Sequence, residues 1–174
     1  MPGRKRGRRG GVVLEFTLVG IPLMFVLIST FEMARGMWIY HTLAFAVREG
    51  TRYTAFHGYN CATLGTGCSK QIADAAGAIQ YAGVGLLPDQ LTLTFTANAG
   101  GASPVTVTCP LLKDCLTNPT AWPPTGANSP GMDVSITASY PFSSAIAMFW
   151  PGAGGGIAFP TYTFSATSRE GIQF

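Results

Sequence analysis

The hydrophobic pattern divides the chain into a helical part and an alternating part. No charged residue lies between Phe16 and Phe31. Beyond this run apolar side chains recur at helical spacing, at Met33, Met37, Tyr40, Leu43, Ala44 and Val47. No break signal separates the two stretches. We therefore predict one helix from about residue 12 to 55, roughly 65 Å long, whose first half is apolar enough for a membrane and whose second half is amphipathic.

The rest of the chain alternates apolar and polar residues with the period of a β-strand. Four segments show this pattern: Leu91–Thr96, Val105–Thr108, Val134–Tyr140 and Phe159–Ala166. A short helix is predicted before them, over Ser69–Tyr81, with Ser69 as N-cap and Gly83 and Gly85 as terminators. Successive half-buried strands indicate an antiparallel sheet, and the apolar stripe of the long helix is the natural cover for its buried face. The predicted fold class is α+β.

The start of the apolar run carries an unusual carboxylate. Five of the first nine residues are basic, and Gly10-Gly11-Val12-Val13-Leu14-Glu15-Phe16 follows them. Glu15 thus lies just inside an apolar segment, behind a basic leader. A carboxylate at the centre of a bilayer costs about 2.5–3.5 kcal/mol and less near an interface. The position is tolerable for a charge, and Glu15 either merely marks the membrane edge or has a role in docking or processing.

These residues resemble a known family in order as well as in type. Glu15-Phe16 is followed by Pro22, by Phe31-Glu32-Met33-Ala34-Arg35 and by Ala46-Val47-Arg48-Glu49-Gly50-Thr51-Arg52-Tyr53. The block is similar to the TadE-like pseudopilins of tight-adherence (Flp) pilus systems, densely so over residues 8–56. The resemblance implies a pilin-like arrangement of the long helix on the sheet.

The resemblance also implies roles for individual residues. Gly10, Gly11, Glu15 and Phe16 are the expected processing site, because only a cut after Gly10 makes Glu15 the fifth mature residue. Glu15, Pro22 and Glu32 are the expected assembly or register residues. Pro22 removes a backbone donor, which predicts a kink or local melting. The implied domains are a leader (1–10), a transmembrane and amphipathic helix (11–55) and an exported head (56–174).

The implied partners are a prepilin peptidase, other pilins or pseudopilins, inner-membrane pilus platform proteins and the lipid membrane. By the positive-inside rule the basic leader stays in the cytoplasm, and the C-terminal domain is extracytoplasmic. The expected location is the inner membrane, with a single span. A cell-surface pilus is the other location that the resemblance allows.

Charge does not point to a nucleic acid. The chain has 11 basic and 8 acidic residues, but five of the basic ones lie in residues 1–10. Without them six basic and eight acidic residues remain, a formal charge of −2. The basic residues therefore belong to the leader, where they determine topology.

The four cysteines, Cys61, Cys68, Cys109 and Cys115, lie beyond the apolar helix. An even number in a small exported domain predicts two disulfides, and we favour the local pairs Cys61–Cys68 and Cys109–Cys115. Their spacing is too wide for a zinc site, and no cofactor is expected.

Acidic residues are scattered and no nucleophile motif is present, so we expect no enzyme. Pro119–Pro130 is predicted as a surface loop, with Trp122 either a binding side chain or part of a plain connection.

Two alternatives remain open at the sequence level. One is a permanent single-pass anchor, with an unprocessed leader, that presents an extracytoplasmic binding domain. The other is a secreted adhesin with an ordinary signal peptide. The second needs a small-residue cleavage site after Phe31, where the chain has Glu32-Met33-Ala34-Arg35-Gly36 instead.

Overall fold

The computed structural model describes residues 9–58, 71–98, 100, 103–144 and 161–173. Within them the chain forms a long N-terminal apolar helix and a small antiparallel sheet, so the predicted α+β class is confirmed. The elements, in chain order, are α1 (Arg9–Phe56), α2 (Ile72–Ala82), β1 (Thr92–Asn98), β2 (Val105–Cys109), α3 (Leu112–Cys115), β3 (Asp133–Phe142) and β4 (Tyr162–Gly171).

The four strands form one sheet in the order β2-β1-β3-β4, and every neighbouring pair is antiparallel. Thr108, Thr94, Thr137 and Thr167 are register partners across all four strands. One face of the sheet is therefore lined by hydroxyl groups, and Thr137 and Thr167 bond each other across it at 2.9 Å.

The other face of the sheet forms the core. Side chains two apart in β1 and β3 are buried: Leu93, Phe95, Ala97, Val134, Ile136, Ala138 and Tyr140. This alternation is the one that the sequence predicts for half-buried strands. Helix α1 covers β3 and β4, while α2 packs beside α1 and α3 lies against β1 and β2.

Helix α1 has two regions with different surroundings. Its 48 residues span about 72 Å. From Gly11 to Phe31 nearly every side chain is exposed, whereas from Glu32 onward a stripe of one face is buried. It is the one helix in the described residues that is long and apolar enough to cross a membrane, with a mean hydropathy of 2.3 over 18 residues.

Small residues let α1 approach its neighbours closely. A Cβ added at Gly50 would lie 2.4 Å from Cγ1 of Ile79 in α2, and one at Gly36 would lie 3.7 Å from the rings of Phe142 and Phe164. Helix α2 runs antiparallel to α1, since Gly50 faces Ile79 while Gly85, beyond the end of α2, lies near Trp38. The end of α2 therefore points back toward the apolar half of α1.

Two local predictions require correction. Helix α2 begins at Ile72, and its N-cap is Gln71, which makes no side-chain capping bond; Ser69 lies outside the described residues. Trp122 is not a surface side chain, because it is 1% exposed and packs edge-to-face on Phe95 with ring centroids 5.7 Å apart. The proline-rich segment around Trp122 closes the core over β1. Its proline content indicated a loop but carried no signal for this burial.

Candidate assembly site

The residues expected at the processing site lie at the beginning of α1. Gly10 and Gly11 belong to its first turn, and a Cβ at Gly11 would meet nothing within 4 Å. Phe16 is 76% exposed and points away from the folded head. No described part of the head covers this end of the helix, which leaves the Gly10–Gly11 bond clear of the packed core.

Glu15 projects from the same apolar surface. It is exposed, and the side chains around it are those of Val12, Val13, Leu14, Phe16 and Leu18, each more than half exposed. The described side chains give its carboxylate no hydrogen bond or ion pair. The basic residues of α1 on either side of Glu15 are Arg9, six positions before it, and Arg35, about 30 Å further along the helix axis. No described side chain therefore supplies a counter-charge for Glu15.

Pro22 lies about two turns after Glu15 and does not interrupt α1. The predicted local melting does not occur, because the helix is continuous across it. Proline has no N–H, so the Leu18 carbonyl lacks its usual helical donor. Gly20 lies on a different face of the helix, in an apolar hollow of about 330 Å³ that is also lined by Phe16, Ile21 and Met24. The apolar span thus has a hollow on one face.

Glu32 occupies a different environment from Glu15. It is 9% exposed, and its carboxylate lies 3.4 Å from the Arg35 guanidinium. Arg35 also donates a hydrogen bond to the Ser143 carbonyl and lies over the Phe142 ring, 4.7 Å from its centre. Together Glu32, Arg35, Phe142 and Ser143 form a clasp between α1 and the end of β3. The spacing of Glu32 and Arg35, three residues apart on a helix, favours this ion pair, but nothing in the sequence indicated the long-range partners.

The structure therefore separates the three residues expected to act in assembly. Glu15 and Glu32 are about 25 Å apart along the helix axis. Pro22 lies between them on the apolar span. Glu15 and Pro22 remain available to a partner, whereas the Glu32 carboxylate is engaged at the junction of helix and head.

A second apolar surface runs along the head between α1 and α2. Phe45, Phe56 and Tyr81 line a groove of about 690 Å³ there. Tyr53 borders the groove and stacks on the His57 ring, with centroids 4.0 Å apart. Burial raises the pKa of the Tyr53 hydroxyl above its ordinary value, and the negative charge of Asp74 acts in the same direction. The groove is aromatic and only lightly charged, as protein contact surfaces are.

The head shows a disulfide and no metal-binding cluster among its described residues. The Cys109 and Cys115 sulfurs are 2.06 Å apart, which is one of the two local pairs that the cysteine spacing predicts. Cys61 and Cys68 lie outside the described residues. In the part of the chain that the structure describes, no three His, Cys, Asp or Glu side chains come together as ligands.

Comparison with known proteins connects the long helix to a family. Residues 10–52 match the family of TadE-like proteins, which confirms the resemblance seen in the sequence. No curated protein matches the chain, and no solved structure matches it either. The matched segment is α1 from Gly10 to Arg52 and ends before the sheet. It suggests involvement in tight-adherence pilus systems, with pilus-related protein partners and membrane association.

Proposed function

We propose that the chain is a minor pilin or pseudopilin of a tight-adherence pilus, and that a prepilin peptidase cuts it between Gly10 and Gly11. In this proposal residues 1–10 are the leader, residues 11–55 the membrane and amphipathic helix, and residues 56–174 the exported head. The basic leader keeps the N-terminus in the cytoplasm, so the head is extracytoplasmic. The apolar helix is consistent with anchoring in the inner membrane.

The observation that carries the proposal is the state of Glu15. This carboxylate lies on an exposed apolar surface, five residues after Gly10, within the TadE-like segment. A charge in lipid without a counter-ion is unfavourable and usually functional. A simple anchor has no use for it, whereas a subunit that joins others does.

Cleavage would supply the missing counter-charge. Removal of residues 1–10 creates an amine on Gly11, and Glu15 of one subunit can pair with that amine on a neighbour. Four residues separate Gly11 from Glu15, so the pair sets an axial shift of about 6 Å between two parallel helices. The hollow at Gly20 lies on the same apolar span, where a neighbouring helix would pack.

The partners follow from this role. The peptidase must reach the Gly10–Gly11 bond, which the described head leaves uncovered. Sister pilins or pseudopilins must contact the apolar span, and inner-membrane platform proteins must move the subunit. The large head relative to the helix suits a subunit used in low copy for initiating, capping or regulating the filament.

The test is the intact mass and N-terminal sequence of the chain isolated from its native membrane. We expect a mature chain that starts at Gly11. Gly10→Ala should block this cleavage. Gly11→Ala is the matched control, because a methyl group there meets no described atom within 4 Å. It should still be cut and should yield a chain that starts at the new alanine.

The opposite result would favour the permanent anchor. A chain that keeps its leader in the wild type and in both variants would overturn peptidase processing. The protein would then be an unprocessed single-pass anchor that presents an extracytoplasmic binding domain. A mature terminus beyond Phe31 would instead support a secreted form that has lost the apolar helix.

A further inference from the structure

We propose that the folded head, and not the helix alone, rests on the outer surface of the membrane, through a ring of apolar side chains around α1. We call this ring the collar. Its members come from α1, from the turn after α2 and from the start of β4, and each is more than half exposed: Met33, Met37, Trp38, Val84, Leu87 and Tyr162. The inference rests on the proposed membrane topology of α1.

The turn after α2 holds its part of the collar rigidly. Gly83 donates to the Ile79 carbonyl at 2.8 Å, and Leu86 donates to the Gly83 carbonyl at 3.0 Å. Gly85 has a φ of +90°, a conformation that glycine adopts without strain and that reverses the chain. Leu86 is buried in the core, whereas Val84 and Leu87 on either side are 71% and 54% exposed. The fold thus fixes two apolar side chains outward.

The collar members of α1, from Met33 to Trp38, lie within about 8 Å along its axis, and the other members lie level with them. The Trp38 indole nitrogen is 4.0 Å from the position of a Cβ at Gly85, and Val84 lines a hollow with Ala34 and Trp38. On the other side of α1, Tyr162 is the register partner of Phe142, whose ring approaches Gly36. The turn and the start of β4 therefore both lie level with about residues 34–40 of α1.

That height is where the outer surface of a bilayer falls. Residues 11–31 span about 31 Å, which fills a hydrocarbon core of about 30 Å. Headgroups extend the bilayer by roughly 5–8 Å on each side. Trp38 lies about 10 Å beyond Phe31, and helical side chains lean back toward the N-terminus, here toward the membrane. Tryptophan and tyrosine are the side chains that favour this boundary.

The shape of the collar favours lipid over a protein partner. Met33 and Met37 are four residues apart and share one face of α1, whereas Trp38 lies about 100° further around the axis. Val84 and Tyr162 extend the ring on the two flanks of the head. A partner helix would need a stripe along one side of α1, whereas a planar membrane surface needs a ring at one height. The collar is a ring.

Depth measurements on the full chain in lipid nanodiscs test the inference. A nitroxide is attached through p-acetylphenylalanine, which leaves all four cysteines untouched. Nanodiscs of phosphatidylcholine and phosphatidylglycerol with one chain each exclude contacts between copies. The nitroxide's collision rate with oxygen, divided by its collision rate with a water-soluble nickel chelate, rises with depth in the bilayer. We expect this ratio at positions 84 and 87 to exceed that at position 81 several-fold. Tyr81 is the matched control, since it is 89% exposed and lies within α2, before the turn that carries Val84 and Leu87.

A label at Phe25, in the apolar span, separates failure of the collar from failure of the topology. If position 25 is in lipid while positions 84 and 87 resemble position 81, the collar is wrong and the proposed function stands. If position 25 is in water, the membrane insertion on which both depend is wrong. If the label at position 84 is shielded from the nickel chelate only in nanodiscs that hold several chains, it contacts another protein. That result would also overturn the collar.

Discussion

Replacing Gly50 by alanine tests the close contact between α1 and α2. The new Cβ would lie 2.4 Å from Cγ1 and 2.7 Å from Cδ1 of Ile79, and 3.5 Å from Cδ1 of Ile136. The first two distances are far below a van der Waals contact, so either the helices separate or Ile79 leaves its position. Ile79 is fully buried. Overpacking of this kind costs about 1–3 kcal/mol.

Helix propensity works in the opposite direction and must be removed from the comparison. Alanine is favoured over glycine inside a helix by about 0.8–1.0 kcal/mol. Gly77→Ala supplies the control, because Gly77 lies in α2 and a Cβ there meets nothing within 4 Å. Both variants gain the same propensity, and only Gly50→Ala adds the clash.

The assay is thermal unfolding of the full chain in mild detergent, followed by near-ultraviolet circular dichroism. For a chain of this size 1 kcal/mol corresponds to about 2–4 °C in Tm. Gly77→Ala should melt at or above the wild-type temperature, and Gly50→Ala about 2–12 °C below Gly77→Ala. If Gly50→Ala is at least as stable as Gly77→Ala, the close packing of α2 on α1 is wrong.

Three further changes test the head. Cys109→Ser with Cys115→Ser should destabilise it by about 2 kcal/mol, since a small closed loop is released, and equal melting of variant and wild type would contradict this. Trp122→Ala should cost about 3–5 kcal/mol, measured by thermal unfolding, whereas a surface tryptophan would cost almost nothing. The raised pKa of Tyr53 means that the folded state holds its proton more tightly than the unfolded state. Stability linked to Tyr53 is therefore complete below pH 10.0 and is lost as the pH rises through the higher folded pKa. Tyr53→Phe should flatten this alkaline loss, and an unchanged pH profile would count against it.

The sequence predicted the elements well because their periods are strong. In β1 and β3, threonine and serine alternate with apolar residues. The apolar side chains face the core, and the hydroxyl side chains face the open side of the sheet. The long helix was predictable for a similar reason, since an uncharged run passes directly into an amphipathic one, and the single glycines and Pro22 within it do not form a turn signal. The local sequence pattern is sufficient to predict an element when each of its faces lies in a single environment, either the core or solvent.

Long-range contacts were beyond the reach of the sequence. Arg35 bonds a carbonyl 108 residues away, at Ser143, and backbone acceptors have no sequence signature. Trp122 is buried although prolines flank it, because the core over Phe95 needs a large side chain and the chain returns there from α3. Of the collar only Trp38 has a signal in the sequence, because a tryptophan shortly after an apolar run favours a membrane interface. The contributions of Val84 and Tyr162 depend on how α2 and β4 lie beside α1.

The two carboxylates of α1 should respond in opposite ways to the loss of their charge. Glu32→Gln removes the ion pair to Arg35 at the clasp, where the carboxylate is 9% exposed, so a loss of about 1–3 kcal/mol is expected in thermal unfolding. Glu15→Gln removes a charge that has no partner among the described side chains, so the isolated subunit should melt within about 0.5 kcal/mol of wild type.

Association with sister pilins should depend on the two carboxylates in the reverse way, because it should need Glu15 and not Glu32. Co-purification with sister pilins from native membranes should fail for Glu15→Gln and persist for Glu32→Gln at temperatures where the head is folded. Glu15 would then act between subunits and Glu32 within one. If instead Glu15→Gln lowers the melting temperature and leaves co-purification intact, its carboxylate acts within the subunit, and the pairing with a neighbour's Gly11 amine is wrong.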